Sequence, residues 1–428
     1  MLKSRTQQRP ARKLTVRNFS VIKEADLEFG NITVIIGPQS SGKSLLCKLG
    51  FFSLDLLNLA QKALDNEKGY ESFLQSASEE FTKLFPQQSW GTKGFKIRYE
   101  QGAFTVDIVR KAYKREPKDK AAITLPGWFA DLYKKSQQRL VARKQTTKVN
   151  EPIYYYQQNR REFVHAVNAR IGLERIANQV FVPAGRSFFT SVGKALAAFE
   201  EGGSIDPLTL RFGRQVRWDY DEFHYFARNK RALELLKKLR DESKVLLGGA
   251  VREERDKTVF VASDGRKLPL TNLSSGQQEL LPLISTLMRT AVWDAWQMLY
   301  IEEPEAHLFP TAQASLVSLF ALIAGESNPG ISMVLTTHSP YILAKFNNLI
   351  LAGQIGRKRN LRKMAEDTVN RQYWIKGDAF RAYSIENGRT SSILDENALI
   401  DGEYLDGVSE VIGNEWDKLL RLEYDTAK

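Results

Sequence analysis

Cysteine is almost missing from this chain: one residue, Cys47, in 428. That excludes a disulfide framework within the chain and argues against a thiolate metal site; Cys47 reads as a small core residue. No apolar run approaches the roughly 18 residues that a membrane-spanning helix needs. The opening Met1-Leu-Lys-Ser-Arg-Thr-Gln-Gln-Arg carries no apolar stretch of the secretory kind. Internal repeats and long low-complexity linkers are also missing. Together these absences point to the cytoplasm and to no membrane association.

What is present is the composition of a globular protein, 43% apolar and 26% charged. The length allows more than one domain or a large insertion. The net charge of +12 is unevenly spread: Arg110 to Lys148 holds 12 Lys/Arg against 3 Asp/Glu. This stretch is either a solvated surface insertion or a docking face for nucleic acid or an acidic protein. Trp128, Phe129 and Tyr133 interleave with its charges, where they either stack on bases or anchor a helix.

Residues Gly37-Pro38-Gln39-Ser40-Ser41-Gly42-Lys43-Ser44, followed by Leu45, fit the phosphate-loop pattern G-x-x-x-x-G-K-[ST]. Asn31 to Ile36 before it reads as a buried strand, and Ser44 to Phe52 after it as the first turns of a helix. In that context backbone N–H groups converge on phosphate oxygens and the helix N-terminus adds its positive end. Lys43 then reaches the outer phosphates and Ser44 ligates Mg2+. The expected ligands are ATP and Mg2+.

Three later motifs stand in order. Met298 to Ile301 is an apolar strand ending in Glu302-Glu303. Downstream of a phosphate loop, Glu302 is placed to hold Mg2+ and Glu303 to orient or deprotonate a water; alone, the two are an ordinary strand-end charge pair. Leu273-Ser274-Ser275-Gly276-Gln277 opens a helix 29 residues before Glu302. By itself this is a turn or N-cap. Thr336-Thr337-His338-Ser339 ends another apolar strand, with His338 35 residues after Glu303.

The rest of the chain reads as strands at 13–17 and 26–29, helices at 45–64 and 71–84, and a hairpin at 95–110 around Gln101-Gly102. Helix-like sequence at 160–177 leads to a short strand, Val180 to Val182, broken by Pro183. Residues 196–246 are mostly helical and closed by Gly248-Gly249. A tight hairpin turns at Asp264-Gly265. Helix–strand alternation after Leu280 implies a mainly parallel sheet. The C-terminal part, from Gln372, mixes short strands with a helix at 408–422.

Taken together the motifs resemble the ABC-type ATPase heads of the SMC and OLD groups. Leu-Ser-Ser-Gly-Gln is similar to the L-S-G-G-Q signature, and Glu302-Glu-Pro-Glu-Ala-His307-Leu-Phe-Pro310 to the E-E-P-E-A-H-L-x-P of OLD-like ATPases. Phe181 to Ser187 also looks like a strand-and-arginine element of that group. The resemblance covers roughly residues 13 to 350 without the basic stretch. It implies an α/β P-loop NTPase head: a mainly parallel sheet flanked by helices, an antiparallel β-subdomain and a helical lobe. Expected units are 1–110 (head with phosphate loop), 111–150 (basic insertion), 151–257 (helical lobe), 258–350 (head with signature, strand-end acids and switch histidine) and 351–428 (an α+β extension). It also implies a homodimer or higher homo-oligomer. Catalytic Glu303 and His338 of one copy would then face Ser274, Ser275, Gly276 and Gln277 of another across the nucleotide.

The strand equivalent to the one that usually carries a glutamine joining Mg2+ to the helical lobe ends at Pro183-Ala-Gly-Arg186, and the sequence does not assign that glutamine. Arg186 either answers to the γ-phosphate or is structural, and His307 is either an interface residue or part of a turn. OLD nucleases append a Toprim domain with an Asp-x-Asp, which the 90 residues after His338 lack. Nuclease activity in this chain is therefore not expected. The arrangement looks like the ATPase subunit of two-gene anti-phage systems such as PARIS or Septu. There the resemblance implies a sensor holding a separate effector, such as a Toprim or HNH nuclease, and answering a phage-encoded trigger. The basic stretch 110–148 would serve such a partner or nucleic acid. Two other readings remain open: an SMC- or RecF-like DNA-repair ATPase, and, less in keeping with the basic insertion, a transporter subunit.

Overall fold

The computed structural model describes residues 11–111, 121–146, 152–172, 178–192, 205–216, 230–254, 257–292, 296–325 and 330–402. The expected helix at 408–422 and parts of the expected helical stretch 196–246 lie outside them. The strands run β1 (Arg12–Phe19), β2 (Ile22–Phe29), β3 (Ile32–Ile36), β4 (Phe95–Gln101), β5 (Phe104–Arg110), β6 (Ala122–Thr124) and β7 (Asn178–Val182). They continue with β8 (Gly249–Glu254), β9 (Lys257–Ala262), β10 (Lys267–Pro269), β11 (Gln297–Glu302), β12 (Ile331–Thr337), β13 (Phe380–Glu386) and β14 (Arg389–Ser392). The helices are α1 (Lys43–Asp65), α2 (Tyr70–Leu84), α3 (Gly127–Thr146), α4 (Pro152–Ile171), α5 (Ser187–Val192) and α6 (Pro207–Gly213). After them come α7 (Lys230–Leu247), α8 (Ser275–Val292), α9 (Pro310–Ala324), α10 (Pro340–Ile355) and α11 (Arg362–Thr368).

Eleven of these strands form one sheet in the order β6-β5-β4-β1-β2-β14-β13-β3-β12-β11-β7, and β10-β9-β8 form a second, antiparallel one. The large sheet changes character across its width, for a reason visible in the side chains. Strands β11 and β12 are buried at every position and β3 at all but its last. Such runs suit parallel strands covered on both faces, and β13-β3-β12-β11-β7 are parallel. Strands β1, β4 and β5 alternate buried with more exposed residues, and β6-β5-β4-β1-β2 are antiparallel. The α/β class expected from the sequence is what the chain adopts, with the antiparallel strands continuing the parallel ones edge to edge.

The parallel strands carry a core on each face. On one face, continuous with the antiparallel half, α1 to α4 bring together an aromatic cluster that includes Phe19, Phe52, Phe73, Phe81, Phe95, Phe129 and Tyr300. On the other, α8, α9 and α10 pack mainly aliphatic side chains against β11 and β12.

Strands from the basic stretch and from the C-terminal part both join the large sheet. Strand β13, in the C-terminal part, lies against the phosphate-loop strand, pairing Tyr383 with Ile35 and Ser384 with Ile36. In the basic stretch, β6 pairs with β5 and α3 buries Phe129, Tyr133 and Leu140 completely or nearly so. Phe129 and Tyr133 therefore anchor a helix and cannot stack on bases. Trp128 donates Nε1–H to the Ala103 carbonyl at 3.0 Å. Several of the segment's charges are paired: Arg139 and Arg143 on Glu162, and Lys144 on Glu67. Its most basic run, within 112–120, lies outside the described residues. Among the described residues no helix is long and apolar enough to cross a membrane.

Candidate nucleotide site

The phosphate loop joins the C-terminal end of β3 to α1, where a parallel sheet presents its ligand crevice. Gly42 caps α1 at φ +104°, a left-handed conformation, and a Cβ there would come within 2.4 Å of Ile22. Only glycine fits. Lys43 is buried and donates to the carbonyls of Gly37 and Pro38, each at 2.8 Å, so the ammonium is folded into its own loop. Burial lowers its pKa, against the pull of Glu303 and Glu305.

Strand β11 delivers Glu302 and Glu303 to the same crevice. Glu302 is 7% exposed; one carboxylate oxygen accepts from the Ala184 N–H at 3.4 Å and the other, buried, has no hydrogen-bond partner. Burial raises its pKa, opposed by the Ser44 hydroxyl and the Lys48 ammonium. An orphaned carboxylate oxygen beside a serine hydroxyl is an all-oxygen donor pair of the kind Mg2+ takes, with water and phosphates completing the shell. The residues fit the ion.

Glu303 turns away from the strand at φ +41°, with its N–H on the Thr336 carbonyl at 3.0 Å. Its carboxylate stands 3.3 Å from His338 Nε2. The loop that follows steadies the histidine: Glu305 accepts from Thr337 Oγ1 at 2.8 Å and from the His338 N–H at 2.7 Å. Glu303 and His338 line a cavity of about 300 Å³ together with Ser40 to Leu45 and Lys48. Its remaining wall is Val21, Leu84 and Phe85, with the hydroxyls of Ser20 and Ser89. Lys48 is held by Asp206 at 2.7 Å, and Asp206 also caps α6.

The signature turn is not part of that wall. Ser274 and Ser275 are exposed at the N-terminus of α8. Ser274 accepts from the Gln277 N–H, while Gln277 Oε1 accepts from both the backbone N–H and the hydroxyl of Ser274. This is a capping box, so the turn reading of these residues holds within the chain. Gly276 lies against the loop after β11: a Cβ there would be 2.9 Å from the His307 carbonyl. His307 itself takes a left-handed turn position at φ +60°.

Arg186, the candidate γ-phosphate sensor, is directed into the protein and is not part of the cavity wall. It is fully buried, and its guanidinium donates to the carbonyls of Pro183, Glu279, Glu302 and Glu303. Every one of these is protein backbone, so the structural alternative is the one realised. Four residues of the site escaped sequence reasoning. Lys48 follows Ser44 by one helical turn, and Asp206-Pro207 is a helix-start signal, so both had a local trace. Glu305 stood inside a motif but without a role, and Glu279 had no signal at all.

No curated protein matches the chain. Among solved structures it is similar to an SMC head domain from Thermotoga maritima (12% identity, 90% of this chain and 99% of that one, TM-score 0.36). It is also similar to an SmcHead bound to the C-winged helix domain of ScpA (14%, 90% and 97%, TM-score 0.42). A third is an Smc head domain with an extended coiled coil bound to the C-terminal domain of ScpA from Pyrococcus furiosus (13%, 90% and 96%, TM-score 0.38). The α/β class stands on the sheet order itself. Residues 32–344, most of the chain, match the family described as "AAA domain, putative AbiEii toxin, Type IV TA system", and the chain belongs to that AAA-domain ATPase family.

Proposed function

We propose that this protein is a nucleotide-gated switch that binds and hydrolyses ATP between two copies of itself and thereby controls a separate effector. Lys43 leaves its loop carbonyls for the β- and γ-phosphates, and the backbone of Gly37 to Leu45 wraps them. Ser44 and Glu302 would hold Mg2+, which would supply charge neutralisation on the phosphate oxygens. Glu303 orients the attacking water and accepts its proton, and His338, 3.3 Å away, fixes that carboxylate. The nucleoside lies along the Val21–Phe85 wall. Ser274 to Gln277 of a second copy close over the γ-phosphate with an exposed helix N-terminus.

One observation carries this reading. Phosphate loop, water-orienting acid and histidine line one cavity, with the metal carboxylate Glu302 behind it against Ser44, while the signature turn faces solvent outside it. Exposed Phe309 and Tyr341, on the segments just after the loop of Glu303 and after His338, offer apolar surface for the second copy. The effector is a separate protein, a nuclease in an anti-phage system, and the basic stretch 110–148 meets it or a phage-encoded trigger. The family description, which names a toxin and a type IV TA system, agrees with a role beside a partner protein.

The test is the mass of the Glu303→Gln protein in solution with ATP and Mg2+. It should shift from a smaller to a doubled species, and Ser274→Arg in the same background should abolish the shift while ATP still binds. A Glu303→Gln protein that binds ATP without changing mass, and with Ser274→Arg indistinguishable from it, refutes closure between copies.

A further inference from the structure

We infer that Arg186 and Glu279 lock the acid-bearing end of β11 to the signature helix α8, which makes Arg186 a positioning residue for hydrolysis. The inference rests on the nucleotide-site reading above and adds to it a link between the two halves of each subunit's contribution.

The geometry is a closed knot. The guanidinium donates Nε–H to the Glu279 carbonyl at 3.1 Å and Nη1–H to the carbonyls of Pro183 at 3.1 Å and Glu302 at 2.7 Å. Nη2–H goes to the Glu303 carbonyl at 3.1 Å. In return the Glu279 carboxylate accepts the backbone N–H of Arg186 at 2.9 Å and of Ser187 at 3.0 Å. Its oxygen also stands 3.3 Å from Arg186 Nε, and both side chains are shut away from solvent, 0% and 2% exposed. Three segments meet here: the turn after β7, the first turns of α8, and the end of β11.

A buried ion pair is a poor source of net stability, because desolvation offsets most of the attraction. What this one supplies is geometry. Glu303 holds a left-handed backbone, which a residue with a side chain keeps only when its surroundings over-determine it. Arg186 grips the carbonyls of both Glu302 and Glu303, while the Thr336 carbonyl takes the N–H between them. The same arginine holds α8 one turn beyond Ser275. Movement of the signature turn is thereby passed to the carboxylate that orients water. A lysine has one charged point and cannot span four carbonyls with a planar fork.

The test uses the full chain with Arg186→Lys and Glu279→Gln. Each should bind ATP within about threefold of wild type, melt as a folded protein, and lose kcat by about 10–100-fold with KM little changed, the range for residues that orient a site from behind it. Amide exchange should quicken together at 184–188, 275–280 and 302–305 in both variants. Unchanged kcat, or ATP affinity falling in step with kcat, overturns the inference. If wild type binds ATP but never hydrolyses it, the catalytic reading fails while the exchange experiment still decides. Quickening confined to one of the three segments then sinks the link.

Discussion

The phosphate loop and the signature turn both sit where a helix begins, yet their surroundings differ. At α1 the loop is enclosed: Lys43 is buried on two loop carbonyls, Glu302 presses against Ser44, and Glu303 with His338 closes the far side of a cavity. At α8 the turn satisfies itself through Ser274 and Gln277 and turns Ser275 to solvent. One helix start opens into a cavity lined by the phosphate loop, Glu303 and His338. The other is furnished with nothing to bind in its own chain, although the helix behind it is fixed to the acids by Arg186. On the proposed function, complete enclosure of the nucleotide would take a pair of chains, each bringing one half of two sites.

The sharpest way to break that comparison is to empty the enclosed end. Lys43→Ala should cut ATP affinity by about a hundredfold or more, because removing one partner of a buried charge pair costs about 3–5 kcal/mol. Turnover and nucleotide-driven pairing should vanish with it, as read by calorimetric titration and by mass in solution. Unaltered affinity would mean that the phosphates sit elsewhere. Glu303→Gln comes next. It keeps the shape of the side chain and removes the base, so kcat should fall by about 10²–10⁴-fold while ATP stays bound. A single-turnover assay distinguishes this from slow product release. Normal hydrolysis in that variant would move the chemistry to another residue.

How much of this was legible in the sequence follows from how local each feature is. The phosphate loop, the Glu302-Glu303 strand end and the His338 strand end are short strand–turn units whose chemistry is written in neighbouring residues, and the structure brings all of them to one crevice. The enclosure itself was not legible. Strand β13 borders the phosphate-loop strand from more than three hundred residues away, and nothing in Phe380 to Glu386 names β3 as its neighbour. Arg186 shows the same limit at a single residue. Its position after an apolar strand suited a phosphate ligand and a structural arginine alike, and the direction of its side chain depends on where Glu279 arrives. Phe129 and Tyr133 likewise looked equally suited to a base or a core until the packing of α3 against α4 fixed them inside.

The smallest effect expected, and the one that sharpens the comparison most, concerns Glu305. Its carboxylate holds His338 through the backbone N–H and holds Thr337 through its hydroxyl, yet it touches neither the phosphate loop nor the signature turn in the bonds described. Glu305→Gln retains an acceptor for either donor and changes little in volume. The enclosed end should therefore still bind ATP normally, and kcat should drop by about tenfold as the histidine loses its fixed approach to Glu303. Glu305→Ala leaves the His338 N–H without its acceptor and should lower kcat further, while the mass shift with ATP is retained because the signature turn is untouched. If Glu305→Ala instead abolished pairing and left single-turnover hydrolysis intact, the loop after β11 would belong to the exposed end of the site. The division between an enclosed half and an offered half would then have to be drawn on the other side of Glu303.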